Sequence, residues 1–197
     1  MERKTNRQKQ ADASRRKIFE TAIELFSHSA YEDITVNDIC KAAGLSVGAF
    51  YHHFKNKQSI LNAGYRLFDE DIEKLWNEAH PAPGQASIEF LIREQMRSMN
   101  AMGVTAATQY FKNQLMDGEK YIVDKERFFY RTILENVQQA IGHGALRGEA
   151  GAITDDVLSL TRGRIYDWCL HDGNYDLVAS GLRTLEMALQ YYAVAAP

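Results

Sequence analysis

Residues 35–57 read TVNDICKAAGLSVGAFYHHFKNK, and the fold is decided by how that stretch breaks. Thr35 and Asp38, three apart, have the spacing of a capping box that opens a helix. Ile39 and Cys40 turn inward, and Ala42 and Ala43 are small where two helices must approach. Gly44 can take the left-handed conformation that ends the helix and starts a tight turn. Leu45 returns to the core, and Ser46 caps a second helix whose Phe50 and Phe54, four apart, share a face. Two short helices joined in this way form a helix-turn-helix.

The second of those helices carries the chemistry of a base reader. A helix-turn-helix lays the start of its second helix along base edges in the major groove. Gly48 and Ala49 are small enough for close approach, Val47 or Ala49 can meet a thymine methyl, and His52 can donate to a base acceptor. Ser46, Tyr51, His53 and Lys57 have the reach for phosphate oxygens. Pure packing is the competing reading, but it gives no reason for two adjacent histidines, a tyrosine and flanking Lys55 and Lys57. Adjacent His52 and His53 diverge by about 100° on a helix, which makes them a poor metal pair. No metal and no cofactor is expected.

Outward from this stretch the chain reads as all-α, with about nine helices and no convincing strand. Residues 1–11 carry Arg3, Lys4, Arg7 and Lys9 without apolar periodicity and read as a mobile arm. A first helix spans about residues 12–29. Arg15, Arg16 and Lys17 in its first turn oppose the helix dipole and point mildly to an anionic partner. Asn56 caps a long helix over residues 57–79, and His80-Pro81-Ala82-Pro83-Gly84 breaks the chain. Further helices are expected at about 87–102, capped by Ser87, at 105–116, ended by Asp117-Gly118, and at 121–141. An eighth opens at Thr154, and a ninth spans 176–193. The expected organisation is an arm with a helix-turn-helix over 1–57, a connecting helix over 58–80 and a ligand-binding and dimerisation domain over 81–197.

Charge divides the same way. Residues 1–66 hold 11 Lys/Arg against 7 Asp/Glu, and the remainder holds 12 against 19. Such asymmetry suggests a half that faces nucleic acid and a half that does something else. Cys40 and Cys169 lie far apart in helical apolar patterns and read as two buried reduced thiols. No run approaches the roughly 18 apolar residues of a membrane span, and no signal-peptide h-region follows the basic N-terminus, so a cytoplasmic protein is expected. There is no Ser/His/Asp arrangement, HExxH, P-loop or GxGxxG, which argues against an enzyme.

Residues 26–61 resemble the DNA-binding domain of the tetracycline-repressor (TetR) family of bacterial regulators. The resemblance rests on Phe26, the T-V-x-D-I-x-x-A-A-G-L-S run from Thr35, Gly48, Tyr51-His52-His53-Phe54 and K-N-K-x-x-I-L from Lys55. It implies a helical homodimer on a palindromic double-stranded DNA operator, acting as a repressor released by a small-molecule effector. The alternative is a DNA-binding regulator without such a ligand, controlled by a protein partner or by its abundance. Matched position by position, the DNA-contact candidates are Thr35, Ser46, Val47, Gly48, Ala49, Tyr51, His52, His53 and Lys57. Ala30 stands where the family usually has glycine, which leaves the geometry of the first loop open.

In the second half the resemblance is weaker. The family's last two helices form a four-helix dimer interface. Here Val157, Ile165, Val178, Gly181, Leu182, Leu185 and Leu189 are the residues expected there, with Gly181 allowing close approach. Gln95, Met96, Met99, Tyr110, Phe111, Gln114, Phe129 and Trp168 are the candidate pocket. Core packing is the competing reading for such an aromatic-methionine population. If they do line a pocket, its ligand is aromatic or amphipathic.

Overall fold

Nine α-helices account for most of residues 5–116 and 120–194, the residues that this computed structural model describes. The basic residues Arg3 and Lys4 and the expected helix stop at Asp117-Gly118 lie outside them. Helix α1 runs Asn6–His28 and is capped by Thr5, whose hydroxyl accepts from the Gln8 N–H while the Gln8 amide accepts from the Thr5 N–H. The expected arm over 1–11 is therefore helix from Asn6 onward. Arg15 and Arg16 fall mid-helix, not in the first turn, and pair with Glu70 and Asp71 on α4 at 3.0 and 2.8 Å. Residues 15–17 stand beyond the first turn, so the dipole conflict that hinted at an anionic partner does not arise, and α4 supplies the anions for Arg15 and Arg16.

Ser29 and Ala30 then run extended, Ala30 at φ −60°, into a single 3₁₀ turn at Tyr31–Asp33. This bend needs no left-handed residue, so alanine fits without strain. Helices α2 (Val36–Ala43) and α3 (Val47–His53) follow, then α4 (Lys57–Ala79). The core of this first unit is Ile18, Ala22 and Phe26 of α1 against Ile39, Phe50 and Ile60, all fully or nearly fully buried.

The second unit contains α5 (Gln85–Met102), α6 (Val104–Met116), α7 (Phe128–Gly142), α8 (Ala150–Leu170) and α9 (Leu177–Tyr192). Three boundaries differ from expectation. Ser87 lies inside α5, its hydroxyl donating to the Ala82 carbonyl at 2.8 Å. Helix α7 begins at Phe128, because Tyr121–Val123 form a 3₁₀ turn and Arg127 is drawn to Asp69 of α4. Helix α8 begins four residues before Thr154, capped by the Glu149 carboxylate on the Gly151 and Ala152 N–H groups. These N–H donors hold Glu149 below the usual carboxylate range.

The two units share helices. Helix α4 gives Ile60 and Leu61 to the first core and Ile72 to the second, and α6 gives Ala106 and Tyr110 to the first and Ala107 to the second. A domain boundary drawn at one residue misses this sharing. No helix among the described residues is long and apolar enough to cross a membrane. Cys40 is buried and Cys169 half-buried, both as free thiols.

Candidate nucleic-acid interface and interior cavity

The turn between α2 and α3 closes as its sequence demands. Gly44 sits at φ 63°, ψ 36°, with its N–H on the Lys41 carbonyl and the Leu45 N–H on the Cys40 carbonyl. These paired bonds satisfy the last carbonyls of α2 and turn the chain sharply. Thr35 and Asp38 close the capping box at the other end. The Thr35 hydroxyl accepts from the Asp38 N–H and donates to its carboxylate, which is thereby held below the usual range. Ser46 accepts from the Ala49 N–H at 3.1 Å.

Helix α3 is thus fixed with one face down. Phe50 and Phe54 are buried, and Ser46, Val47, Gly48, Tyr51 and His52 are exposed together, Tyr51 at 58%. A Cβ at Gly48 would meet only the Ser46 hydroxyl, at 3.8 Å. No close contact within the chain excludes a Cβ there, and the backbone is left open on that side.

Not every candidate shares this face. Ala49 and His53 are half-buried. Burial lowers the His53 pKa, and His52 and Arg15 lower it further. Lys57 turns away altogether. Its ammonium donates to the carbonyls of Tyr31 and Ile34, the second at 2.7 Å, and lies 4.2 Å from the centre of the Tyr31 ring. Of the side chains expected to reach phosphate oxygens, Lys57 is thus the one committed within the chain. A lysine near a helix start reads from sequence as free charge, yet this one ties the loop before α2 to the start of α4.

The candidate pocket residues also divide. A cavity of about 390 Å³ lies between α4, α5, α6, α7 and α8. Gln95, Met99, Tyr110, Phe111 and Phe129 line it. Met96, Gln114 and Trp168 do not. Met96 is fully buried where α5 meets α9, and a Cβ at Gly181 would come within 2.6 Å of it. Gln114 accepts from the Ile122 N–H, and Trp168 donates to the Tyr175 carbonyl.

Sequence reading missed much of the wall, including Tyr65, Phe68, Arg127, Tyr130 and Arg162. It also missed that Phe19 of α1 and Gly64 of α4 reach the cavity. The Tyr110 hydroxyl rests against Gly64: a Cβ there would stand 1.5 Å from the hydroxyl oxygen and 2.9 Å from Phe19. The glycine makes room for a ring that joins the cavity to the helix-turn-helix unit. Tyr110 Oη and Gln95 Oε1 are both buried and unbonded among the described residues.

The residues expected to form a dimer interface are mostly interior. Val157, Ile165, Gly181, Leu185 and Leu189 are buried within the single chain, and Val178 and Leu182 are partly so. Helices α8 and α9 pack their regular apolar stripes against this chain's own core. A different set faces outward: Leu160, Gly163 and Leu170 on α8, and Met187 and Tyr191 on α9, the last two 70% and 78% exposed.

Residues 18–64 match the family model described as bacterial regulatory proteins, tetR family. The chain is 30% identical over 139 residues to the HTH-type transcriptional repressor KstR2 of Rhodococcus jostii (strain RHA1), covering 70% of this chain and 64% of that protein. It thus spans just under two thirds of that relative's length. Among solved structures it resembles the transcriptional regulator FadR from Bacillus subtilis in complex with stearoyl-CoA. There the TM-score is 0.66 at 20% identity, over 88% of this chain and 97% of that one. It also resembles SmeT, the repressor of a Stenotrophomonas maltophilia multidrug efflux pump, in complex with triclosan. There the TM-score is 0.59 at 20% identity, over 92% of each chain. At these identities the structural likeness speaks for the fold.

Proposed function

This chain belongs to the TetR family of bacterial regulatory proteins, and from that premise we propose that it represses transcription from a palindromic operator as a homodimer and is released when a small molecule fills the cavity between α4 and α8. One observation carries the reading: Tyr110 belongs to the wall of the cavity and to the core of the helix-turn-helix unit at once. A ligand that moves this ring moves its neighbours Gly64 on α4 and Phe19 on α1.

The reader of bases in this proposal is the exposed face of α3, with Ser46, Val47, Gly48, Tyr51 and His52 at the DNA and Ala49 and His53 at its edge. Thr35 approaches the backbone from the start of α2. Lys57 acts from behind, by holding the loop. The second copy is met through the outward faces of α8 and α9, where Leu160, Met187 and Tyr191 leave apolar area uncovered and Gly163 permits close approach. A two-fold axis there sets two α3 helices toward successive major grooves, which recur about 34–36 Å apart. A tilt of α1 and α4 changes that spacing and costs operator affinity. Two relatives in the same fold are described as bound to small molecules, stearoyl-CoA and triclosan, which supports an effector without naming this one.

The test is linkage. A compound that raises the melting temperature of the protein must weaken its operator binding, and the operator must weaken the compound by the same factor. A compound that binds the cavity and leaves operator affinity unchanged would overturn the reading.

A further inference from the structure

The charges on the cavity wall pair off among the described residues, apart from Arg162 and the exposed Asp124. Asp71 pairs with Arg16 at 2.8 Å, Glu94 with Arg97 at 2.7 Å, and Arg127 with Asp69 through two bonds of 2.8 and 2.9 Å. Asp124 is exposed and accepts from the Glu126 N–H. Arg162 alone among the wall's cations has no carboxylate within ion-pairing distance among the described residues. Its hydrogen bonds among the described residues are long, 3.4 Å to the Ile122 carbonyl and 3.5 Å to the Ser159 hydroxyl. The nearby Asp155 is taken up by Lys125 at 2.7 Å and by the Tyr130 hydroxyl at 3.0 Å.

A half-buried guanidinium without a carboxylate is unusual, because a buried charge is costly unless it is paired. Burial lowers the pKa of Arg162; Asp155 works against that, and Arg127 adds to it. Much of the rest of the wall is apolar, with Phe68, Met99, Phe111 and Phe129 among its residues. Two further polar atoms on it, Tyr110 Oη and Gln95 Oε1, are buried and unbonded. Buried polar atoms almost always have partners, so three under-satisfied groups around one cavity mark a place built for something else.

We propose that the effector is an amphipathic carboxylate, its acid group paired with Arg162 and its apolar body laid along the aromatic and methionine wall, within hydrogen-bonding reach of Tyr110 and Gln95. This rests on the reading of the cavity as an effector site. A planar guanidinium matches a carboxylate with two parallel bonds, the strongest polar contact a single side chain offers such a group.

Isothermal titration of the full chain with decanoate, 1-decanol and decylamine separates the parts. All three present the same apolar body and differ in the charge of the head. The expected order is decanoate tightest, decanol weaker and decylamine weakest. Arg162→Met, which keeps the stem and removes the charge, should weaken decanoate by about tenfold or more and leave decanol unchanged. Arg162→Lys should retain part of the preference. If the methionine variant does not melt cooperatively, the wild-type series and the lysine variant still decide. Decanol binding wild type as tightly as decanoate overturns the carboxylate inference and leaves the cavity reading standing. Binding of none of the three overturns both.

Discussion

Gly64→Ala tests the contact on which control depends. The residue lies inside α4, where replacing glycine by alanine in an unconstrained helix stabilises by about 1 kcal/mol. Here the new methyl would stand 1.5 Å from Tyr110 Oη, 2.6 Å from Cζ of the same ring and 2.9 Å from Cε2 of Phe19. Restoring an ordinary contact of about 3.5 Å requires the hydroxyl to move by roughly 2 Å. The Tyr110 ring is 4% exposed and packed in the core between α1 and α4, so the only way it can yield is toward the cavity it lines, at the cost of its packing in that core. Overpacking costs about 1–3 kcal/mol, and an overlap with ring atoms belongs at the upper end. The difference leaves a net loss of about 2 kcal/mol, a fall of roughly 4–8 °C in Tm for a chain of this size. Tyr110→Phe alone removes an unbonded buried hydroxyl and should be near neutral, since no partner is left stranded. In the Gly64→Ala background it removes the worst overlap and should restore about half of the loss, a coupling of roughly 1 kcal/mol. Thermal and urea melts of the four proteins measure this. A Gly64→Ala protein more stable than wild type, or strict additivity with Tyr110→Phe, would refute the packing of Tyr110 against α4.

Four further outcomes follow from the same geometry. Tyr51→Ala should weaken binding to all duplexes and lower the slope of affinity against salt, while stability changes by less than about 0.5 kcal/mol, as for an exposed residue. Lys57→Met should do the reverse, leaving two carbonyls unserved and lowering stability by about 1–2 kcal/mol in urea melts with little change in the salt slope. Leu160→Glu combined with Met187→Glu should give a folded monomer on sizing that has lost operator affinity. His53 titrates below its ordinary value of 6.5 in the folded chain. The unfolded chain therefore takes up the proton first, and stability falls as pH drops below about 6.5; His53→Asn should flatten that part of the pH profile of Tm.

What the sequence made legible was local. The capping pair Thr35 and Asp38, the left-handed Gly44 and the spacing of Phe50 and Phe54 act within a few residues, so α2 and α3 could be placed closely. Asn56 and the break at His80-Pro81 did the same for both ends of α4. What failed was decided at a distance. Arg127 ends the turn before α7 because Asp69, far away in the chain, holds it. Tyr121 and Ile122 by themselves continue a helical pattern. The stripe of Val157, Ile165, Leu185 and Leu189 is apolar whether it covers this chain's own core or a partner, and periodicity does not say which. Lys57 and Arg162 make the same point with opposite outcomes. One reads as a free charge and is consumed by two carbonyls and a ring. The other passes for a solvated arginine and stands half-buried at a cavity, without a paired carboxylate among the described residues.

Repression as proposed requires two copies of the α3 face to read one symmetric site. Selection of bound sequences from random duplex DNA, with the full chain, tests it most directly. An enriched palindrome is expected, its half-sites centred about one helical turn or a small multiple of it apart, and lost when Tyr51 and His52 are both replaced by alanine. Recovery of no enriched sequence, or of an asymmetric site bound by one copy, would contradict it.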